Sequence, residues 1–442
     1  MPVLNLRIIA LCLLFSGLKI KAQSPQQLSK QIFGYLKTGN YAKIDALFDT
    51  TGILKLVAFS QKEQYKKDLK EFGIAQSLIS TESEDNGFKT RIAMGIKFKD
   101  SKQLLYILFN TKGKIEDLAF DKYIETPFFR LQGYQGFAEV TDLSTEVKTR
   151  DGLTLAANVA FGDTSKQKSP LVIFVHGSGP SDRDETLGPN KPFRDLAQGL
   201  AQQGIVSLRY DKRTFTYQYD SQKMNDSMTI YEETIYDAID AVKLAKQYTF
   251  IDTTRIYVLG HSQGAMCAPK IAELCPKLKG IIMLAAPVSN LVDLVPKQLE
   301  YIAMLDDTLS NLEEIQLTSV KWMVDKIKSP SLSDKTPKAM LMGASARYWK
   351  SVLSYNQVIT AKQLKIPVLI ASGGRDYQVP VTEYNAWKKE LAGKSNVQFQ
   401  FYPKLNHLFL EGEHRSEPSE YMIPGHIPQY VIDDLAKFIK GR

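Results

Sequence analysis

The sequence predicts an α/β chain: a mostly parallel sheet with helices on both faces and a helical insertion, preceded by a small α+β domain. Three observations predict it. Over residues 170–439, short continuous apolar runs alternate with helical stretches, as expected for parallel strands buried on both faces. Ahead of them, residues 24–125 pass from helical to strand periodicity, which implies helices packed on an antiparallel meander. Third, the apolar run Ile256, Val258, Leu259 breaks into Gly260-His261-Ser262-Gln263-Gly264 and continues into small helix-forming residues. That is a strand-turn-helix corner with a serine at its apex.

Taken in order, residues 1–22 read as a secretory signal. Arg7 supplies the positive end, residues 8–18 are apolar but too short to span a bilayer, and Ala22 offers a small residue for cleavage. An uncleaved membrane anchor is the alternative. Cleavage removes Arg7, Lys19 and Lys21 and lowers the formal charge from +8 to +5. With no stretch of basic and aromatic residues interleaved, nucleic acid is excluded as an expected partner, and no stable membrane insertion is expected once the signal is gone. No cysteine stands in a lipid-attachment setting. Cys267 and Cys275 lack metal-site spacing and read as small buried apolar residues rather than a disulfide.

The small domain opens with a helix over 24–37, with Ser24 as N-cap and Pro25 in its first turn. Helices over 41–48 and 61–72 follow. Strands are expected over 88–98, 103–109 and 114–120, separated by the turn residues Asp85-Asn86-Gly87, Lys99-Asp100-Ser101 and Asn110-Thr111-Lys112-Gly113. No paired carboxylates or nucleophile stand out here, so the domain is read as a binding, spacing or dimerisation module. Residues 126–145 form a linker.

The second domain, 146–442, opens with a hairpin turned at Asp151-Gly152. The strand over 170–175 ends in His176-Gly177-Ser178-Gly179-Pro180. Then come a helix (193–203), a strand (205–210) and a helix (229–248) with Ile235, Ala238, Ile239, Val242 and Ala245 on one face. Strands over 280–287, 365–372 and 397–401 and a last helix over 430–439 complete the alternation. Residues 288–362 interrupt it.

A serine at such a corner needs a base, and the base needs an orienting acid. Of five histidines, His176 and His261 are committed to Gly-rich turns. His414 and His426 read as exposed loop residues. His407 follows the last strand and is the candidate base. The candidate acid is Asp376, in Gly373-Gly374-Arg375-Asp376, at the carboxyl end of a strand, where sites assemble. The order Ser262, Asp376, His407 is the one expected for this architecture. An oxyanion would take the backbone N–H of Gln263 and of Ser178, with Gly179 as second choice. Alone, G-x-S-x-G is also compatible with an ordinary turn.

On His176-Gly-Ser-Gly-Pro-Ser-Asp-Arg-Asp-Glu185, Leu208-Arg-Tyr-Asp-Lys-Arg213, the serine corner, Gly373-Gly-Arg-Asp376 and Asn406-His407, residues 146–442 resemble the α/β-hydrolase superfamily, on its secreted bacterial esterase branch. The small domain loosely resembles the α+β domain found ahead of some such enzymes. The resemblance implies an α/β-hydrolase fold, hydrolysis of a small-molecule carboxylic ester through an acyl-enzyme, no metal or organic cofactor, and a periplasmic or secreted location. Relatives with the same triad cleave peptides, so a peptidase or aminopeptidase is the alternative, as is a non-catalytic binding protein. Asp211 and Arg213 read either as a structural ion pair or as a substrate-facing arginine. The insertion stands where the family places a cap. Its Tyr301, Trp322, Met323, Tyr348, Trp349 and Tyr355 either line an acyl pocket or pack the cap onto the core.

Overall fold

A computed structural model describes residues 24–51, 54–85, 89–123, 125, 132–134, 136, 139–165, 167–217, 220, 223 and 226–441. The expected signal and part of the expected linker lie outside them. Among the described residues, no helix is long and apolar enough to cross a membrane. The chain divides into two units, 1–129 and 130–442.

The first unit holds α1 (Pro25–Thr38), α2 (Tyr41–Asp45), α3 (Leu54–Phe72) and the strands β1 (Ser77–Asp85), β2 (Lys89–Lys97), β3 (Lys102–Asn110) and β4 (Ile115–Lys122). Ser24 caps α1, and Gln27 returns the bond in a capping box. The four strands form one antiparallel sheet in sequence order. Its core joins Ile32 and Leu36 of α1, Tyr65 and Leu69 of α3, and Ile92, Met94, Ile107 and Phe109 of the sheet. The structure adds β1, which the polar run Ser80-Thr81-Glu82-Ser83 concealed. Also, α2 is shorter and α3 longer than expected.

The second unit is built on an eight-stranded sheet: β5 (Thr141–Lys148), β6 (Thr154–Phe161), β7 (Ser169–Val175), β8 (Val206–Tyr210), β9 (Ile251–His261), β10 (Gly280–Leu284), β11 (Val368–Gly373) and β12 (Val397–Tyr402). Their order is β12-β11-β10-β9-β7-β8-β6-β5. The first six run parallel, and the hairpin β5–β6 joins antiparallel to β8. The hairpin begins at Thr141, inside the expected linker, because Asp142 anchors it through ion pairs to Arg209 and Arg194 at 2.7 Å each.

Helices cover both faces: α4 (Pro192–Gln202), α5 (Arg213–Thr216), α6 (Asp237–Ala245), α7 (Gln263–Leu274), α8 (Leu291–Ala303), α9 (Asn311–Lys328), α10 (Ala346–Ser354), α11 (Gln357–Gln363), α12 (Val381–Glu390) and α13 (Gln429–Lys440). Strand alternation divides the core. Leu171, Ile173 and Val258 face α6 and α7. Val172, Phe174 and Leu259 face α4 and α13. The helix expected over 229–248 begins as a π-helix, Tyr231–Tyr236, before α6. Such turns recur at functional sites.

The insertion forms α8 to α11 between β10 and β11. Buried Glu383 of α12 holds its root, accepting from the Val288 and Ser289 amides at 2.8 and 2.7 Å.

The serine corner has little spare room. A Cβ on Gly264 would stand 2.1 Å from the Val175 carbonyl oxygen, and one on Gly260 would stand 2.2 Å from that of Gly264. Backbone atoms cannot move aside as a flexible side chain does. Gly264→Ala is therefore expected to destabilise the second unit by about 3 kcal/mol, the upper end of typical overpacking costs. Urea unfolding of the variant against the parent checks this.

Candidate active site

The site is assembled at the carboxyl ends of the parallel strands. Ser262 leaves β9 with φ 53° and ψ −115°, a strained conformation for a residue with a side chain. Its backbone N–H donates to the Leu284 carbonyl at 2.9 Å, and its carbonyl accepts from Met266 at 2.9 Å. The corner is thus clamped between β10 and α7, and the serine lines a cavity of about 430 Å³. Gln263 is the first residue of α7, so its N–H has no acceptor inside that helix.

Asp376 and His407 arrive from the loops after β11 and β12. His407 Nδ1 lies 2.7 Å from Asp376 Oδ2. The other oxygen, Oδ1, accepts the Gln378 and Val379 amides at 2.8 Å each. Both side chains are buried. The acid is therefore held by three donors, which fixes which oxygen faces the imidazole. Buried Asn406 sets the loop that carries His407: its Oδ1 accepts from the Leu408 and Leu410 amides at 3.0 and 3.1 Å.

His261, beside the serine, touches the same loop. Its Nε2 lies 2.9 Å from the His407 carbonyl oxygen and its Nδ1 lies 3.0 Å from Glu185 Oε2. Both neighbours are acceptors, a setting that favours the protonated ring. Burial opposes that charge, but Glu185 outweighs it and raises the His261 pKa. Glu185 in turn is held below its usual range: burial would raise it, and His261 with the Gly177 amide overcomes burial. The two imidazole rings sit 4.6 Å apart. His176, packed against Phe193 and Tyr210, is driven by burial down to about 4 and stays neutral.

Ser178 lines the cavity wall together with Ser262 and Gln263. A Cβ on Gly177 would meet Ser262 Cβ at 3.3 Å, so this loop lies directly against the serine. The geometry thus brings the predicted acid and base together and puts Ser178 and Gln263, the residues of the predicted amides, on the wall that carries the serine. His414 is exposed, and its carbonyl accepts from Arg375 at 2.6 Å. His426 is not an exposed loop residue as expected: it is half-buried, 3.0 Å from Asp195.

Arg213 is a structural residue. It is buried between Asp237 and Asp151 at 2.6 and 2.7 Å. Asp211 pairs with Arg183 at 2.9 Å. Of the insertion's aromatic residues, Tyr348 and Trp349 line the cavity, with Leu291, Leu294, Val295 and Met342. Tyr301 instead stacks on Tyr377 with ring centres 4.8 Å apart, and Tyr355 binds the Met266 carbonyl at 2.9 Å. Cys267 and Cys275 are free thiols.

The sequence pattern gave no sign of a buried charge network at the cavity wall. Lys212 Nζ lies 3.1 Å from Glu233 Oε1. Glu233 Oε2 accepts from Tyr348 at 2.8 Å and from the Gln263 side chain at 2.9 Å. Burial works against the Glu233 carboxylate, and Lys212 together with these donors holds it below its usual range.

Residues 167–414 match the family described as serine aminopeptidase, S33 (Hydrolase_4). The chain is also 36% identical to the esterase EstD of Thermotoga maritima over 374 residues, covering 84% of this chain and 83% of that one. The chain belongs to the α/β-hydrolases. Among solved structures it is similar to Est1E from Butyrivibrio proteoclasticus, with 19% identity and a TM-score of 0.42 over 67% of this chain and 99% of that one. It is also similar to Porphyromonas gingivalis dipeptidyl peptidase 4, with 16% identity and a TM-score of 0.44 over 82% of this chain and 43% of that one. For an α/β-hydrolase, the sheet is of the expected kind: parallel at its centre, with the serine corner after β9 and the insertion after β10.

Proposed function

We propose that this α/β-hydrolase is an exported serine esterase that cleaves small carboxylic esters through an acyl-enzyme. The observation that carries the reading is the Asp376–His407 pair at 2.7 Å, joined through His261 to a strained serine that lines a largely apolar cavity. In this reading Ser262 Oγ attacks the acyl carbon while His407 Nε2 takes its proton. Charge then develops on the former carbonyl oxygen. The Ser178 and Gln263 amides receive it, each worth about 3–4 kcal/mol in the transition state. His407 returns the proton to the departing alcohol, and water, activated the same way, frees the acid. The 36% identity to a named esterase supports the ester as substrate, and the leader-like residues 1–22 support export.

The family description favours a second reading, an aminopeptidase. Such an enzyme needs an anionic group for the substrate's ammonium. Among the described residues lining the cavity, Glu233 is the one carboxylate, and it is committed to Lys212, Tyr348 and Gln263. That commitment favours the ester.

Nitrophenyl esters of graded acyl length test the reading. A cavity of about 430 Å³ is near the small end for ligand sites, so turnover is expected with an optimum at short to medium chains. No turnover at any length, with a fluorophosphonate probe still labelling Ser262, would move the assignment to the peptidase.

A further inference from the structure

Gly177 is gripped from both sides by buried charged groups. Its N–H donates to Glu185 Oε1 at 2.7 Å, and its carbonyl accepts from Lys212 Nζ at 2.8 Å. Lys212 also ties down the loop by its backbone, whose N–H donates to the Ser181 carbonyl at 3.0 Å. Next to it, Asp211 accepts from the Arg183 amide at 2.8 Å and from its guanidinium at 2.9 Å. The segment after β8 therefore clamps the whole loop 177–183.

The peptide group between Gly177 and Ser178 is planar and trans, so its C=O and N–H point in opposite directions. Fixing the carbonyl on Lys212 fixes the Ser178 N–H on the other side. Ser178 stands on the cavity wall with Ser262. A flip of this peptide would turn ψ of Gly177 and φ of Ser178, and the glycine offers little resistance on its side. A flip would put the Gly177 carbonyl, not an N–H, toward the developing oxyanion. We propose that Lys212 is a positioning residue: it holds the Gly177–Ser178 peptide in the orientation that makes Ser178 an oxyanion donor. Glu233 pairs with Lys212 at 3.1 Å, and so links this donor to the α7 corner through Gln263. This inference rests on the esterase reading of Ser262 and Ser178.

Lys212 alone cannot be removed cleanly, because Glu233 would be left buried and unpaired. The test therefore compares Glu233→Gln with the charge-balanced Lys212→Met/Glu233→Gln, using a nitrophenyl ester, an alkylboronic acid that forms a tetrahedral adduct, and thermal unfolding. The double variant is expected to have a kcat roughly 10²–10³-fold below Glu233→Gln, the loss typical of one oxyanion donor. Its KM should change less than about threefold, its boronic acid affinity should fall with kcat, and its unfolding midpoint should be kept, a split that lost packing would not produce. Lys212→Gln/Glu233→Gln, whose amide is one bond too short to reach Gly177, is the second variant should the first not fold. A kcat within threefold of Glu233→Gln in a folded double variant, or a loss confined to KM, overturns the proposal. Ser262→Ala run alongside separates the two readings. If it is inactive while the double variant is active, Lys212 has no positioning role. If it is itself active, the site assignment is wrong.

Discussion

Replacing Ser262 with alanine is expected to lower kcat for a nitrophenyl ester by a factor on the order of 10⁶, the scale found when a nucleophilic serine is removed from an intact triad. The substitution keeps a Cβ at the strained corner (φ 53°), so the backbone constraint is unchanged. Its amide still reaches the Leu284 carbonyl. Unfolding midpoints of variant and parent should coincide. The comparison is decisive only with an unchanged fold, which circular dichroism on the same preparation establishes. Retained turnover would remove Ser262 from the mechanism.

The second large effect belongs to Asp376→Asn. Asp376 Oδ1 is claimed by the Gln378 and Val379 amides, and Oδ2 faces His407. An asparagine must keep its carbonyl oxygen toward the two amides, so its NH₂ is turned to His407 Nδ1. That nitrogen can then only accept, and the proton sits on Nε2, where it cannot take the serine proton. A fall in kcat of about 10⁴ is expected, as for a wrong-tautomer substitution in a serine triad. Steady-state kinetics check it. A loss below tenfold would mean that Asp376 does not set the tautomer.

The parts of the site that were legible in the sequence are those set by local chain geometry. Gly260 and Gly264 bracket Ser262 because α7 and β7 leave no room for a Cβ, and the motif itself is written within five residues. The Asp376 and His407 loops could be placed because each follows a recognisable strand. The charge network could not. Lys212 and Glu233 are 21 residues apart, and Glu185 and His261 are 76 apart. Only tertiary packing pairs them. Glu233 also sits in a pattern that reads as an amphipathic helix with a solvated face. The π-turn over Tyr231–Tyr236 rotates that carboxylate inward, and apolar periodicity carries no sign of it. His426 was misplaced for a similar reason: its partner Asp195 lies on α4, far away in sequence.

The central claim is that Ser262 carries the acyl group. Mixing the protein with a nitrophenyl ester, quenching in acid during the first turnovers and mapping peptides by mass measures this directly. An acyl mass added to the peptide containing Ser262 is expected, and its absence in Asp376→Asn at the same time point. An acyl group on another residue, or ester turnover with no covalent adduct in a quench fast enough to catch the nitrophenol burst, would contradict it.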